Sequence, residues 1–304
     1  MSASVIICGV RGPTGVDLAQ IKQMGGRAGR GKKDINATVH IVAEEDCISA
    51  LSGLDSAPPI SSVFDEERAV SFHLLSKIDE LKSKENVEKW FSRSLAYAQG
   101  KKPNFDAIFE RLVKLQLCEG YKEKNLQLFR LTGLGEVCKR YYFSPEAVFC
   151  WKEKFSTLFV NNDFCDECAI AWALATGRIS FDVSVGVADE LLSQFAADFR
   201  PRSEYAPEAV LWLSIFRGVA LPGGASLKKG LKSDWGRISS ALRAIDKCLG
   251  WNQELYWDNL DIMVKHGVPY GAVKYFSLPK MTSDMARHCY ECGISVDDGI
   301  IELS

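Results

Sequence analysis

The string Gln23–Arg30, Q-M-G-G-R-A-G-R, constrains the N-terminal fold because it lies between two short apolar runs. The runs Ser4–Cys8 and Ala37–Ala43 each have the composition of a buried strand. Arg27 and Arg30 are three residues apart among small residues, so both can lie on one face at the start of a helix. Their guanidinium groups suit phosphate oxygens or a developing negative charge. The alternative interpretation is a solvated basic helix.

This arrangement of string and strands resembles motif VI of the superfamily 2 helicases, in its Ski-type form. In that family the motif belongs to the second of two RecA-like domains and reaches ATP held mainly by the first. The resemblance implies that Arg27 and Arg30 contact the γ-phosphate and its transition-state charge. It also implies that Gln23 couples the nucleotide to domain closure, and that Gly26 and Gly29 lie at the nucleotide.

Two parts of a helicase motor are missing from the sequence, the G-x-x-x-x-G-K-[ST] loop and the D-E-x-H run. The glycine-rich stretch Gly9–Gly15 has no following Lys-Ser/Thr pair. Residues 1–48 are therefore expected to be the C-terminal remnant of the second RecA-like domain. ATP and Mg²⁺ would bind only with a partner polypeptide that carries the first RecA-like domain, so no activity is expected of the chain alone.

Composition limits where the chain can act. The net charge of −2 gives no global attraction to nucleic acid, whereas residues 1–33 carry six cations against Asp17 alone, a local balance of +5. Ten cysteines in 304 residues are too few for a disulfide scaffold. No signal-peptide pattern and no membrane-spanning apolar run occurs. The sequence predicts an intracellular protein, in cytoplasm or nucleus, with reduced cysteines and no membrane partner.

Two Cys-x-x-Cys pairs, Cys165/Cys168 and Cys289/Cys292, offer four thiolates that could close a tetrahedral zinc site. Both pairs lie in helical contexts without the glycine-containing turn of a zinc knuckle, and 121 residues separate them. Buried, reduced cysteines at helical spacing are the favoured interpretation, and no metal site is predicted.

Residues 60–143 have the order of elements of a winged-helix domain. The third predicted helix carries a mixed charge pattern, which favours a scaffolding role over reading a DNA groove. Thr132 is the expected N-cap of the helix that follows. The expected elements are helices over 64–81, 87–97 and 104–117, then strands over 118–121 and 126–131.

Residues 144–265 are predicted to be helical throughout. The passage from Leu131 to Pro145 is similar to the one that leaves the winged helix of Ski-type helicases. The resemblance implies a helical bundle whose long "ratchet" helix lies against the translocating strand. The expected helices cover 151–158, 164–175, 187–199, 208–218, 227–249 and 255–264.

The helix over 227–249 is the best candidate for the ratchet helix because it carries six cations against two aspartates. Lys232, Trp235, Arg237 and Arg243 are the expected nucleic-acid contacts. Trp235 could stack on a base or could belong to the core. Arg237 and Arg243 are six residues apart, so one buried face cannot account for both.

Three runs, Val264–Pro269, Phe276–Lys280 and Ala286–Ile294, lie at the start of and within the C-terminal segment, residues 266–304. They resemble the end of the archaeal DNA-repair helicases and of their animal relatives, including the helicase domain of DNA polymerase theta, which is a helix-hairpin-helix. The family's hairpin is glycine-rich, whereas Leu278–Met281 has no glycine and Pro279 has no N–H. A degenerate helix-hairpin-helix-like segment without phosphate binding is therefore expected.

Two functions are compatible with the sequence. The first is the C-terminal part or split subunit of an ATP-dependent helicase, 3′-to-5′ by resemblance, gripping single-stranded or forked nucleic acid with DNA favoured. The second is a non-catalytic nucleic-acid-binding or adaptor module derived from a helicase. The predicted fold is mainly α in both cases.

Overall fold

The chain is mainly α-helical and divides into two compact units, Met1–Ser62 and Val63–Ser304. The computed structural model describes residues 4–10, 38–43, 67–163, 165–177, 205–221 and 224–296, with residues 21, 23, 24, 45, 51 and 62. The helix expected over 187–199 lies outside these described residues.

The first unit contains two strands, β1 (Ser4–Val10) and β2 (Thr38–Ala43), which confirm the two predicted strands. They pair in parallel, with Ile7 opposite Ile41. Parallel neighbours need a crossover connection. The string Gln23–Arg30 lies between the two strands in the sequence.

The two faces of this strand pair differ in burial. Ile7 and Ile21 are buried together, and Ile41 packs against them. Ile6 and Val42 belong to the opposite face by strand alternation, and they are 67% and 57% exposed. Among the described residues, the apolar packing of the pair is therefore confined to one face.

The second unit begins with helices and a β-hairpin. Lys124 and Asn125 form the hairpin turn with φ of 47° and 67°, as a tight two-residue turn between twisted strands requires. The elements are α1 (Glu67–Leu75), α2 (Ile78–Leu81), α3 (Lys84–Phe91), α4 (Leu95–Ala98), α5 (Phe105–Lys114), β3 (Cys118–Glu123) and β4 (Leu126–Leu131).

Two of the helices predicted here are each divided into two. The helix expected over 64–81 is interrupted at Ser76 and Lys77, and the helix expected over 87–97 is interrupted between α3 and α4. At the second break, Ser94 accepts a hydrogen bond from the Tyr97 N–H and starts a new helix. Serine is favoured at helix starts because its hydroxyl oxygen can accept from an N–H of the first turn that has no partner within the helix.

Helix α6 (Gly133–Tyr141) follows the hairpin and starts as predicted at Thr132. The Thr132 hydroxyl accepts from the Gly135 N–H at 3.1 Å and donates to the Gln116 carbonyl at 2.6 Å. Gly135 permits close packing here, since a Cβ at this position would lie 2.0 Å from the Leu117 carbonyl oxygen. The first turn of α6 is thereby fixed against the start of the hairpin.

The remaining elements share one apolar core with the preceding elements of the second unit. Trp151, Trp212 and Trp257 are fully buried in this core, which also includes residues of α1, α5 and α6. The elements are α7 (Pro145–Asn161), α8 (Glu167–Ala175), α9 (Ala206–Phe216), α10 (Ala225–Leu249), α11 (Glu254–His266), a 3₁₀ segment (Tyr270–Ser277) and α12 (Ser283–Glu291).

Helix α10 is held by an apolar stripe and ends at Gly250, which adopts φ of 69°. The stripe recurs every three or four residues and faces the core. Its members are Leu231, Trp235, Ile238, Leu242 and Ile245.

Buried Asp246 joins α10 to α11. Its carboxylate accepts from the N–H groups of Asn252 and Gln253 and from Trp257 Nε1 at 2.6–2.9 Å. These bonds satisfy free donors at the start of α11. The short connection turns α11 back along α10, so the end of α11 lies beside the start of α10.

Candidate nucleic-acid interface

Trp235 belongs to the core. Its side chain is 7% exposed, and its ring meets the Trp212 ring edge-on at 5.6 Å between centroids. The indole Nε1–H donates to Asp261 Oδ1 at 2.7 Å. Of the two interpretations of Trp235, stacking on a base and packing in the core, the structure has the second.

Arg237 fastens α10 to the end of α6. Its guanidinium makes a two-pronged ion pair with Asp234, at 2.8 and 2.6 Å, and donates to the carbonyls of Tyr141 and Tyr142 at 2.9 and 3.1 Å. It also lies over the Phe143 ring, 4.0 Å from the centroid. These contacts use the guanidinium within the protein, contrary to the expectation of a free phosphate contact.

Arg243 links α10 to α11 through two carboxylates. Its Nη2 lies 2.9 Å from Asp258 Oδ1 and 2.6 Å from Asp261 Oδ2. Asp261 also accepts hydrogen bonds from Trp235 and from Ser239. This one carboxylate therefore accepts from three side chains of α10. Burial lowers the pKa of Arg243. The hydrogen bonds and charges of Asp261 and Asp258 together outweigh burial and raise this pKa above its ordinary value. The arginine is thus part of the helix pairing.

The N-terminal third of α10 differs because its lysines have no carboxylate partner among the residues that the structure describes. Lys229 and Lys232 are exposed, and neither forms an ion pair with any residue the structure describes. Lys228 is half-buried and donates to the carbonyls of Ser214 and Val219, at the end of α9. Burial and then the charge of Lys232 lower the pKa of Lys228.

The end of α11 adds two more basic side chains to this surface. Lys265 is exposed, and His266, the last residue of the helix, is half-buried. Burial lowers the pKa of His266 first, followed by the charges of Lys265 and Lys232. We call Lys228, Lys229, Lys232, Lys265 and His266 the cationic cluster. Of the predicted contacts, Lys232 alone belongs to it.

Sequence reasoning missed Lys265 and His266 because they are more than thirty residues from Lys232 along the chain. The available signal was the pairing of two predicted helices by a short connection, which places the last turn of one beside the first turns of the other. Cations in the last turn of a helix are also typical of stabilisation by the helix dipole.

The Cys-x-x-Cys pairs each have one buried and one exposed member. Cys168 and Cys289 face the core, whereas Cys165 and Cys292 are exposed. Burial raises the pKa of Cys168 to about 11, so this thiol is protonated at neutral pH. Within the described part of the chain, no group of three or more His, Cys, Asp and Glu side chains is placed to hold a metal ion.

The motif-like string is described only in part. Gln23 is helical and exposed. Arg27, Arg30, Gly26 and Gly29 lie outside the described residues. Their proposed roles at ATP and Mg²⁺ depend on the sequence alone.

No protein-family model matches the chain, and no curated protein matches it. In the residues that the structure describes, no helix is long and apolar enough to cross a membrane.

Proposed function

We propose that this chain is the C-terminal part or a split subunit of an ATP-dependent nucleic-acid helicase, and that the cationic cluster holds single-stranded nucleic acid. The observation that carries the nucleic-acid part is the set of basic side chains at the start of α10 and the end of α11, without a carboxylate among the described groups that pair with them. Unpaired cations attract phosphodiesters and release counterions on binding.

The helicase part of the proposal rests on the order of elements. A parallel strand pair flanks the string Gln23–Arg30, which supports a remnant of a RecA-like domain over residues 1–48. Helices followed by a hairpin support a winged helix over 60–143, and helix α10, of 25 residues, supports a ratchet bundle over 144–265. Residues 266–304 would be the degenerate helix-hairpin-helix-like end. ATP and Mg²⁺ enter with a partner polypeptide that supplies the first RecA-like domain.

The direct test is binding of a fluorescein-labelled single-stranded oligonucleotide, followed by anisotropy over a range of salt concentrations. A triple variant, K229Q/K232Q/K265Q, should bind more weakly, and the slope of log affinity against log salt should fall by about 2, roughly 0.7 for each lost contact. A matched control, K89Q/K114Q/K122Q, removes the same charge from exposed lysines outside α10 and α11. Equal weakening in both variants would rule out the cationic cluster as the interface.

The adaptor function remains the second candidate, and the contacts of the central α10 side chains favour it. Trp235, Arg237 and Arg243 all serve helix packing, so the middle of α10 offers no stacking surface or free guanidinium. A parent protein that binds neither single-stranded nor forked oligonucleotides at low salt would favour the adaptor over the helicase subunit.

A further inference from the structure

His266 lies where three elements of the second unit meet. Its ring packs against Phe276 of the 3₁₀ segment, with 4.3 Å between ring centroids. Ring atom Nδ1 lies 3.5 Å from the Ser283 hydroxyl, in the first turn of α12. These contacts fix the ring plane, and Nε2 has no hydrogen-bond partner among the described residues.

The charges that act on this ring from the described part of the chain are positive. Helix α10 contributes Lys232, one turn before Trp235, whose Nε1 donates to Asp261 of α11. Helix α11 contributes Lys265, one turn after Asp261. From α12, Asp284 is already paired with Arg287, whose Nη1 donates to the Gly267 carbonyl at 2.7 Å. The 3₁₀ segment contributes the uncharged Phe276. Among the described residues no carboxylate acts on the imidazole, and burial and the two lysines favour its neutral form.

We propose that Lys232, Lys265 and His266 form a phosphodiester-binding site, and that binding of the phosphodiester is coupled to uptake of one proton by His266. The site rests on the proposed function, since it assigns a backbone phosphate of the nucleic acid to these three side chains. The phosphodiester keeps its single negative charge over the pH range in which histidine titrates. The proton comes from solvent and is held on the imidazole while the anion is bound.

The coupling has a direct physical cause. In the free protein the two lysines repel a protonated imidazole. A bound phosphodiester compensates the lysine charges and accepts a hydrogen bond from the imidazolium, so the pKa of His266 rises on binding. Between the free and the bound pKa, affinity must rise as pH falls, because the bound state holds more protons.

The experiment compares affinity for labelled oligothymidylate at about pH 6 and about pH 8, using the full chain. The parent should bind about three- to tenfold more tightly at the lower pH, tenfold corresponding to a pKa rise of one unit. H266Q should bind with the parent's higher-pH affinity at both values. H288Q is the matched control, because His288 is exposed on the neighbouring helix α12, and it should keep the parent's dependence. A pH dependence that survives in H266Q, or an equal parent affinity at both values, would overturn the proposal.

Titration calorimetry in two buffers of different ionisation enthalpy adds a readout that a packing role of His266 would not change. The parent should take up protons on binding oligothymidylate near pH 6.5, and H266Q should not.

Inorganic phosphate is the second ligand to be tested. If it binds as tightly as the oligonucleotide, the site takes free phosphate and the assignment to a nucleic-acid backbone is wrong. A parent that binds no oligonucleotide at either pH rejects the proposed function itself, whereas pH-independent binding rejects only the proton coupling.

Discussion

The two parts of helix α10 have similar cationic residues and different surroundings. In the N-terminal third, Lys229 and Lys232 are exposed and have no carboxylate partner among the described residues. Further along, Arg237 and Arg243 are held by Asp234, Asp258 and Asp261 and by two backbone carbonyls.

Counting charges along a helix does not locate a binding surface. Arginines with fixed carboxylate partners stabilise the packing of the helix and have few donors left for a ligand. Lysines without partners lose little on binding an anion, since no existing ion pair must break. The proposed binding end of α10 is therefore the end whose cations have no carboxylate partner among the described residues.

Among the side chains of α10 that serve packing, Trp235 should have the largest effect on stability. Trp235→Ala should lower the free energy of unfolding by about 3–5 kcal/mol, because a large buried side chain is lost and Asp261 loses a donor. Urea denaturation measures the change. Trp235→Phe keeps most of the volume and should cost less. A stable Trp235→Ala variant with weakened oligonucleotide binding would instead establish a stacking role.

Arg237 should give the next largest effect. Arg237→Ala should lower the free energy of unfolding by about 1–2 kcal/mol, because two backbone carbonyls lose a charged donor, although the side chain's 37% exposure moderates the loss. Arg237→Lys should recover little of it, since lysine lacks the planar fork. Arg140→Ala is the control, because Arg140 is exposed on the adjoining α6 and should stay within about 0.5 kcal/mol of the parent.

The lysines of the cationic cluster should behave in the opposite way. K229Q/K232Q/K265Q should stay within about 0.5 kcal/mol of the parent in urea denaturation, because these exposed side chains hold no partner in the described structure. The same variant is the one expected to lose oligonucleotide affinity. If it is strongly destabilised, its lysines belong to the packing and the contrast between the two parts of α10 disappears.

The smallest effect concerns the pH dependence of stability. His266 has a lowered pKa in the folded protein, so the unfolded chain binds its proton more readily. The contribution of His266 to stability is fully present above the ordinary histidine pKa of about 6.5 and is lost as pH falls through the folded value. Lys232→Gln should move the folded pKa upward and reduce this loss. NMR titration of the His266 ring in the parent and in Lys232→Gln tests it, and an unchanged pKa would mean that Lys232 does not act on the ring.

Local sequence patterns predicted much of the secondary structure. Both N-terminal strands, the hairpin and the Thr132 cap form as expected, because hydrophobic periodicity and short polar caps act over a few residues. The predicted helix over 227–249 is observed as Ala225–Leu249. The breaks near Ser76 and Ser94 were missed, since apolar spacing continues across each of them and hides the start of a new helix.

The candidate site was predicted less well, because local patterns do not show which distant side chains will meet. Local apolar spacing was enough to predict a long helix with many cations, because every third or fourth position along it is apolar. It did not determine which cations would be paired. Asp258 and Asp261 reach Arg243, and the end of α6 reaches Arg237, only after distant segments have packed together. Lys265 and His266 join Lys232 only because Asp246 caps the start of α11 and turns that helix back along α10. Which charges are available to a ligand depends on the folding of distant segments against each other, because ion pairing depends on distance in space and not on distance along the chain.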